Sequence, residues 1–235
     1  MYEVSLIMAY ILSLETATST CSVALHQNEH LLAVQNFHID KSHSSLLHQL
    51  IGDILKYCEL DIKELSAVAI SSGPGSYTGL RIGTSAAKGI CFSLDIPLIS
   101  VNTLEAMAFG VQRYNFNQAL LCPMLDARRM EVYCQIRDFK NHEIMGTQPV
   151  IVDEQSFSQL LNNNQVWFFG NGSNKCKDLL RSSSSRAHFI EGIEPNASSI
   201  GTLALKKFQE NKFENVAYFV PNYLKEFRTT KPKKR

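Results

Sequence analysis

Two successive halves, each built from a strand hairpin followed by helices, predict a two-lobed α/β protein for this chain of 235 residues. The pattern rests on short apolar runs bounded by small hydroxyl or glycine turns, and on amphipathic spacing after each hairpin. A 45% apolar content supplies enough side chains to bury a core.

Residues 10–14 and 21–25 are short apolar strands joined by Glu15-Thr16-Ala17-Thr18-Ser19-Thr20, a run of small hydroxyl residues that opens a hairpin, and residues 31–38 form a third strand. Ser42 or Ser44 caps a helix in which Leu46, Leu47, Leu50, Ile51, Ile54 and Leu55 recur at three-and-four spacing, ending near Cys58. Ala67-Val68-Ala69-Ile70 is a buried strand, Gly73-Pro74-Gly75 turns the chain, residues 79–94 are helical and residues 98–101 a strand. The second half repeats this more loosely, with helices at 104–114, 157–161 and 200–211 and strands at 119–125, 130–136 and 167–169. The serine run 182–185 is expected to be a loop. These elements divide the chain into an N-terminal lobe 1–101, a C-terminal lobe 102–224 and a basic tail 225–235.

A net charge of +1 gives the body no general attraction for nucleic acid or anionic lipid. The sign is unevenly spread: residues 225–235 carry six basic residues against Glu226 alone, a local balance of +5 that leaves −4 on the remainder. The six cysteines are far apart, form no C-x-x-C pair and sit mostly in apolar runs, as buried reduced thiols of a cytoplasmic protein would. No stretch reaches the roughly 18 apolar residues of a membrane span, and the opening lacks a basic leader. Residues 1–7 read as an extension upstream of a start at Met8.

The most distinctive segment is Ser71-Ser72-Gly73-Pro74-Gly75-Ser76-Tyr77-Thr78-Gly79-Leu80-Arg81. A glycine-rich turn between a buried strand and a helix presents free amides where an anion can bind, which makes Gly73, Pro74, Gly75, Ser76, Thr78 and Arg81 candidates. The spacing fails the P-loop pattern, however, and a purely structural turn remains open. On the helix that follows, Gly79, Gly83, Ala87 and Ile90 fall about one turn apart. Small residues at that spacing permit close helix approach, from either internal packing or a partner, and glycine there costs roughly 1 kcal/mol each.

Histidines 38, 43 and 48 are five residues apart and do not converge as i,i+4 ligands would. His142-Glu143 lacks the second histidine of H-E-x-x-H, and no G-x-S-x-G elbow is present. Asp126-Ala127-Arg128 puts charges at a turn between two strands, and Gly170-Asn171-Gly172 follows an aromatic strand.

Taken together, the segment 10–18, the glycine-proline-glycine segment, the Asp126-Ala127-Arg128 turn, Gly170-Asn171-Gly172 and Pro221-Asn222-Tyr223-Leu224-Lys225 resemble the TsaB (YeaZ) family, in the family's order and over nearly the whole chain. That resemblance implies an actin-like, Hsp70-like fold with a degenerate nucleotide site. It also implies a non-catalytic subunit that binds TsaD and supports transfer of threonylcarbamoyl to adenosine 37 of tRNAs reading codons that begin with A. TsaE would be an associated partner, tRNA would be met through the complex, and the isolated subunit would form a homodimer. No cofactor of its own is implied, adenine nucleotide belonging at most to the partner interface.

The two hairpins support this. An actin-like ATPase uses Asp followed by Gly in its first phosphate hairpin and Asp-x-Gly in its second, where this chain has Glu15-Thr16-Ala17 and Asp126-Ala127-Arg128. Glu15 and Lys225 also depart from the Asp and Arg usual in the family. An actin-like kinase acting alone and a metalloprotease are the alternatives. The expected docking surface for TsaD is Leu46, Leu47, Leu50 and Ile51 with the seam Gly79, Gly83, Ala87 and Ile90. A bulky charge at Gly83 or Ala87 is expected to abolish docking while leaving the monomer folded.

Overall fold

The computed structural model describes residues 8–38 and 43–225; the expected extension 1–7, the Ser42 cap and residues 226–235 lie outside them. Strands β1 (Tyr10–Glu15), β2 (Thr20–Gln27) and β3 (His30–His38) form an antiparallel meander. On the other side of β1, β4 (Ala67–Ser71) and β5 (Leu98–Val101) add in parallel, giving the order β3-β2-β1-β4-β5. Parallel neighbours require crossovers, which α1 (His43–Tyr57) and α2 (Tyr77–Leu94) supply.

After α3 (Thr103–Gln112) the same plan recurs. An antiparallel meander of β6 (Leu120–Asp126), β7 (Glu131–Arg137) and β8 (Glu143–Ile151) is followed by α4 (Ser158–Asn163), β9 (Val166–Phe169), α5 (Lys177–Ser183) and β10 (Ala187–Ile190). The order β10-β9-β6-β7-β8 matches the first sheet strand for strand. The last helix is α6 (Ala197–Gln209).

Local chemistry sets the helix ends. Ser76 caps α2 by accepting the Gly79 amide at 3.3 Å, and Asp95, at φ 54°, closes it in the left-handed region. Asn102 caps α3 by accepting the Leu104 and Glu105 amides at 2.9 and 3.1 Å.

The period of two along β1 assigns its faces. Leu12 and Leu14, with Val68 and Ile70, pack under α1 and α2 on Leu47, Leu50, Ile54 and Ala87. Each leucine so buried is worth roughly 1.5–3 kcal/mol. Ile11, Ala67, Ala69 and Ile99 face the other way, onto Ile200, Ala204 and Leu205 of α6. Helix α3 spans the lobes, with Ala106 in that second core while Leu104, Met107 and Val111 pack on Leu121, Leu125 and Phe169 of the second sheet. Arg137, nearly buried, reaches from β7 to Glu105 of α3 at 3.2 Å and adds a charged tie.

The expected division into 1–101 and 102–224 is corrected by these contacts. Helix α6 belongs to the core of the first sheet, because its apolar row matches that sheet's open face. The segment after it stays there too: the Glu214 amide donates to the Leu98 carbonyl at 2.8 Å, and Lys88 Nζ donates to the carbonyls of Ala217 and Phe219 at 3.0 and 3.1 Å. The serine run is likewise not all loop. Ser182 and Ser183 finish α5, their hydroxyls donating back to the Leu179 carbonyl at 2.7 and 3.0 Å. All six cysteines are free, five of them buried, and among the described residues no helix is long and apolar enough to cross a membrane.

Candidate functional site

A cleft of about 1180 Å³ opens between the lobes. Its first-lobe wall is the β1–β2 turn laid against the glycine-rich turn before α2. A Cβ on Gly75 would fall on the Ala17 carbonyl and Cβ, so only glycine permits this approach. The Ser76 amide then donates to the Ala17 carbonyl at 2.6 Å, and Thr16 Oγ1 donates to the Gly79 carbonyl at 2.8 Å. Two of the amides that could cradle an anion, those of Ser76 and Gly79, are thus spent within the chain. Pro74, Gly75, Ser76 and Thr78 line the cleft. Gly73 lies under Asn222, whose amide donates to the Ser72 carbonyl at 2.7 Å, and Arg81 lines a neighbouring groove.

Glu15, at the hairpin position where an actin-like ATPase has its carboxylate, is turned out of the cleft into the lobe. It is fully buried on the α6 side of the sheet, where Oε1 accepts from the Ala17 amide at 2.5 Å and from Ser71 Oγ at 2.9 Å while Oε2 has no partner. Burial pushes its carboxyl up to about 7 against the opposing pull of those bonds.

The second-lobe wall is the β6–β7 turn. Asp126 sits at its start, its amide donating to Asn171 Oδ1 at 2.9 Å and its carboxylate paired with Lys175 and accepting the Arg128 amide at 2.9 Å. Partial burial works to raise this carboxyl, but Lys175 and the Arg128 amide outweigh it and hold it below its ordinary value. Arg128 and Arg129 adopt φ of 73° and 49°, a left-handed pair that closes the hairpin and points both exposed residues outward. Asn222, Tyr223, Leu224 and Lys225 close the cleft's rim, with Lys225 paired to Glu131 across the lobes.

The walls therefore offer hydroxyls, amides and a guanidinium, with one carboxylate sealed away and the other tied to a lysine. Among the described residues no three His, Cys, Asp or Glu side chains converge as metal ligands. Sequence reasoning named Asp126, Arg128 and Asn171 but missed Lys175, three residues past the Gly170-Asn171-Gly172 turn, and the tyrosines Tyr77, Tyr133 and Tyr223.

The expected docking seam is corrected by packing. Gly79, Gly83 and Ala87 face the first sheet: a Cβ on Gly83 would already carry a contact with Thr16 Oγ1 and would stand 2.9 Å from Ile70 Cδ1. Leu47, Leu50 and Ile51 are core residues of the same lobe. Only Leu46 and Ile90 remain partly open. One position round α2, Ser85, Gly89 and Ser93 form a second, exposed row. This row borders a groove of about 490 Å³ between α1 and α2, which Ser44, His48, Ile82 and Ile90 also line.

Two lobes of duplicated mixed-sheet topology, joined by crossing helices and separated by a cleft with a hairpin on each wall, define a protein of two-lobed actin-like fold. The family model described as TsaD, tRNA N6-adenosine threonylcarbamoyltransferase, matches residues 38–233. The tRNA threonylcarbamoyladenosine biosynthesis protein TsaB of Escherichia coli is 31% identical over 222 residues, covering 92% of this chain and 94% of that protein. Its Bacillus subtilis counterpart is 28% identical over 221 residues, covering 92% and 93%. YeaZ from Pseudomonas aeruginosa shares the fold, with a TM-score of 0.77 at 22% identity over 92% of this chain and 100% of that one. The chain belongs to the TsaB (YeaZ) family.

Proposed function

We propose that the chain serves tRNA threonylcarbamoyladenosine biosynthesis as a non-catalytic scaffold: it docks on TsaD, with TsaE joining the assembly, and so supports transfer of threonylcarbamoyl to adenosine 37. The observation that carries this is the open face of α2. Ser85, Gly89 and Ser93 repeat every four residues beside the α1–α2 groove, and Phe92, 85% exposed, falls on the same side of the helix. A Cβ on Gly89 would meet nothing within 4 Å, so no contact among the described residues requires a glycine there. Small side chains flanking an exposed aromatic suit close approach by a second helical pair, that of TsaD or, in its absence, of a second copy. The inward turn of Glu15 and the Asp126–Lys175 pair support the non-catalytic part, since one carboxylate is buried away from the cleft and the other, though it lines the cleft, is neutralised by a lysine.

Size-exclusion chromatography of the chain mixed with TsaD tests the docking. Gly89→Arg should remove co-elution at micromolar concentration and leave the circular dichroism spectrum unchanged. A folded variant that still co-elutes places the contact on another face.

A further inference from the structure

Cations and tyrosines lie side by side along the cleft and out toward the neighbouring groove that Arg81 lines. The Arg81 guanidinium lies 5.5 Å from the centroid of Tyr77, and Tyr77 meets Tyr223 at 4.8 Å with a 42° tilt. Two residues further, Lys225 Nζ is 5.9 Å from the centroid of Tyr133, whose hydroxyl also feels Arg128. The row runs from one lobe to the other, and Arg129 extends it at the hairpin tip.

The nearby carboxylates each have a lysine, Asp126 with Lys175 and Glu131 with Lys225. Arg81, Arg128 and Arg129 enter no ion pair among the described residues and so leave the rim with net positive charge. The rim is also where the last ten residues depart from Lys225, and these carry Arg228, Lys231, Lys233, Lys234 and Arg235 against Glu226.

Aromatic rings interleaved with guanidinium groups hold unpaired bases by their faces and phosphates by charge, whereas the bases of a duplex are stacked and unavailable. We infer that this rim, with Arg81, Arg128, Arg129 and the three tyrosines, binds single-stranded RNA directly, so that the subunit touches the exposed loop of its tRNA itself. The identity of that RNA rests on the proposed function; the contact does not.

Fluorescence anisotropy of the full chain with labelled unmodified tRNA and with a single-stranded oligonucleotide of its anticodon loop, titrated over salt, tests it. Both RNAs should saturate the chain at low salt. The double substitution Arg128→Asn with Arg129→Asn, in which asparagine accepts the left-handed backbone, should weaken binding about tenfold and lower the log–log salt slope by roughly 1.4, two phosphate contacts of about 0.7 each. Arg128→Lys with Arg129→Lys should restore the slope. The inference is overturned if neither RNA saturates the chain, if the asparagine variant, folded by circular dichroism, keeps affinity and slope, or if ATP at equal concentration displaces the RNA, which would mark a mononucleotide site. RNA binding by a chain that never co-elutes with TsaD would sink the docking and keep this contact.

Discussion

Helix α2 carries two rows of small residues, and their environments are opposite. Gly79, Gly83 and Ala87 are pressed onto Thr16 and Ile70 of the chain's own sheet, while Ser85, Gly89 and Ser93 face outward beside an open groove. In sequence the rows look alike, and both carry the helix-propensity cost of glycine. What separates them is what a Cβ would meet: the Thr16 and Ile70 side chains at Gly83, and nothing within 4 Å at Gly89. A small residue in a helix records a close approach without saying to what. Here the inner row is explained by the fold and the outer row by no contact among the described residues.

The largest effect expected from this contrast is at Gly83. An arginine there would drive its stem into Thr16 and Ile70 and bury a charge without a partner, a combination that costs more than about 4 kcal/mol. Gly83→Arg should yield no cooperative urea transition monitored by circular dichroism. A folded variant that loses only TsaD would move the inner row back to the surface.

A middle-sized effect lies on the opposite face of the same sheet, at Glu15. Its carboxyl, with an ordinary value of 4.5, is raised to about 7 in the folded chain, so the native state keeps a proton that the unfolded state releases. The stability this group contributes is complete below about 4.5 and is lost as pH rises through about 7. Glu15→Gln should flatten that fall and melt a few degrees higher than the parent at pH 8, at about 2–4 °C per kcal/mol. Parallel melting curves of both proteins between pH 5 and pH 8 would expose the idea as wrong.

The smallest effect belongs to the outer row. Gly89→Arg replaces a poor helix former with a good one in open space, so thermal unfolding should shift upward by the equivalent of roughly 0.5–1 kcal/mol even as docking is lost. A drop in melting temperature would show that Gly89 packs on something within the chain.

Much of the fold was legible because its strongest signals are local. The β1–β2 hairpin, the leucine spacing of α1 and the buried runs at β4 and β5 each settle their own structure through period and turn chemistry. The misses have local causes as well. β8 is an exposed edge strand interrupted by Gly146 and Pro149, so its pattern lacks a clean apolar face. β10 has only four residues. The α5 serines read as loop because their capacity to bond the preceding carbonyls is invisible in composition. In the site, Asp126 and Arg128 could be named from their turn. Lys175 could not, since its pairing depends on the parallel register of β6 and β9. The docking seam was misplaced for a related reason: helical spacing finds rows, and only the sheet beneath decides which row is inside.

The return of α6 to the first sheet governs how the protein can be made. A ribosome that has released residues 8–101 has delivered a sheet with one face bare, because Ile11, Ala67, Ala69 and Ile99 find their cover in Ile200, Ala204 and Leu205. At ribosomal speeds of about 5–20 residues per second, that cover arrives roughly 5–20 s later. The lobe whose strands are synthesised first is therefore the one finished last. Its closure spans nearly the whole chain, which slows folding and leaves an apolar face for chaperones to guard while the second lobe is still emerging.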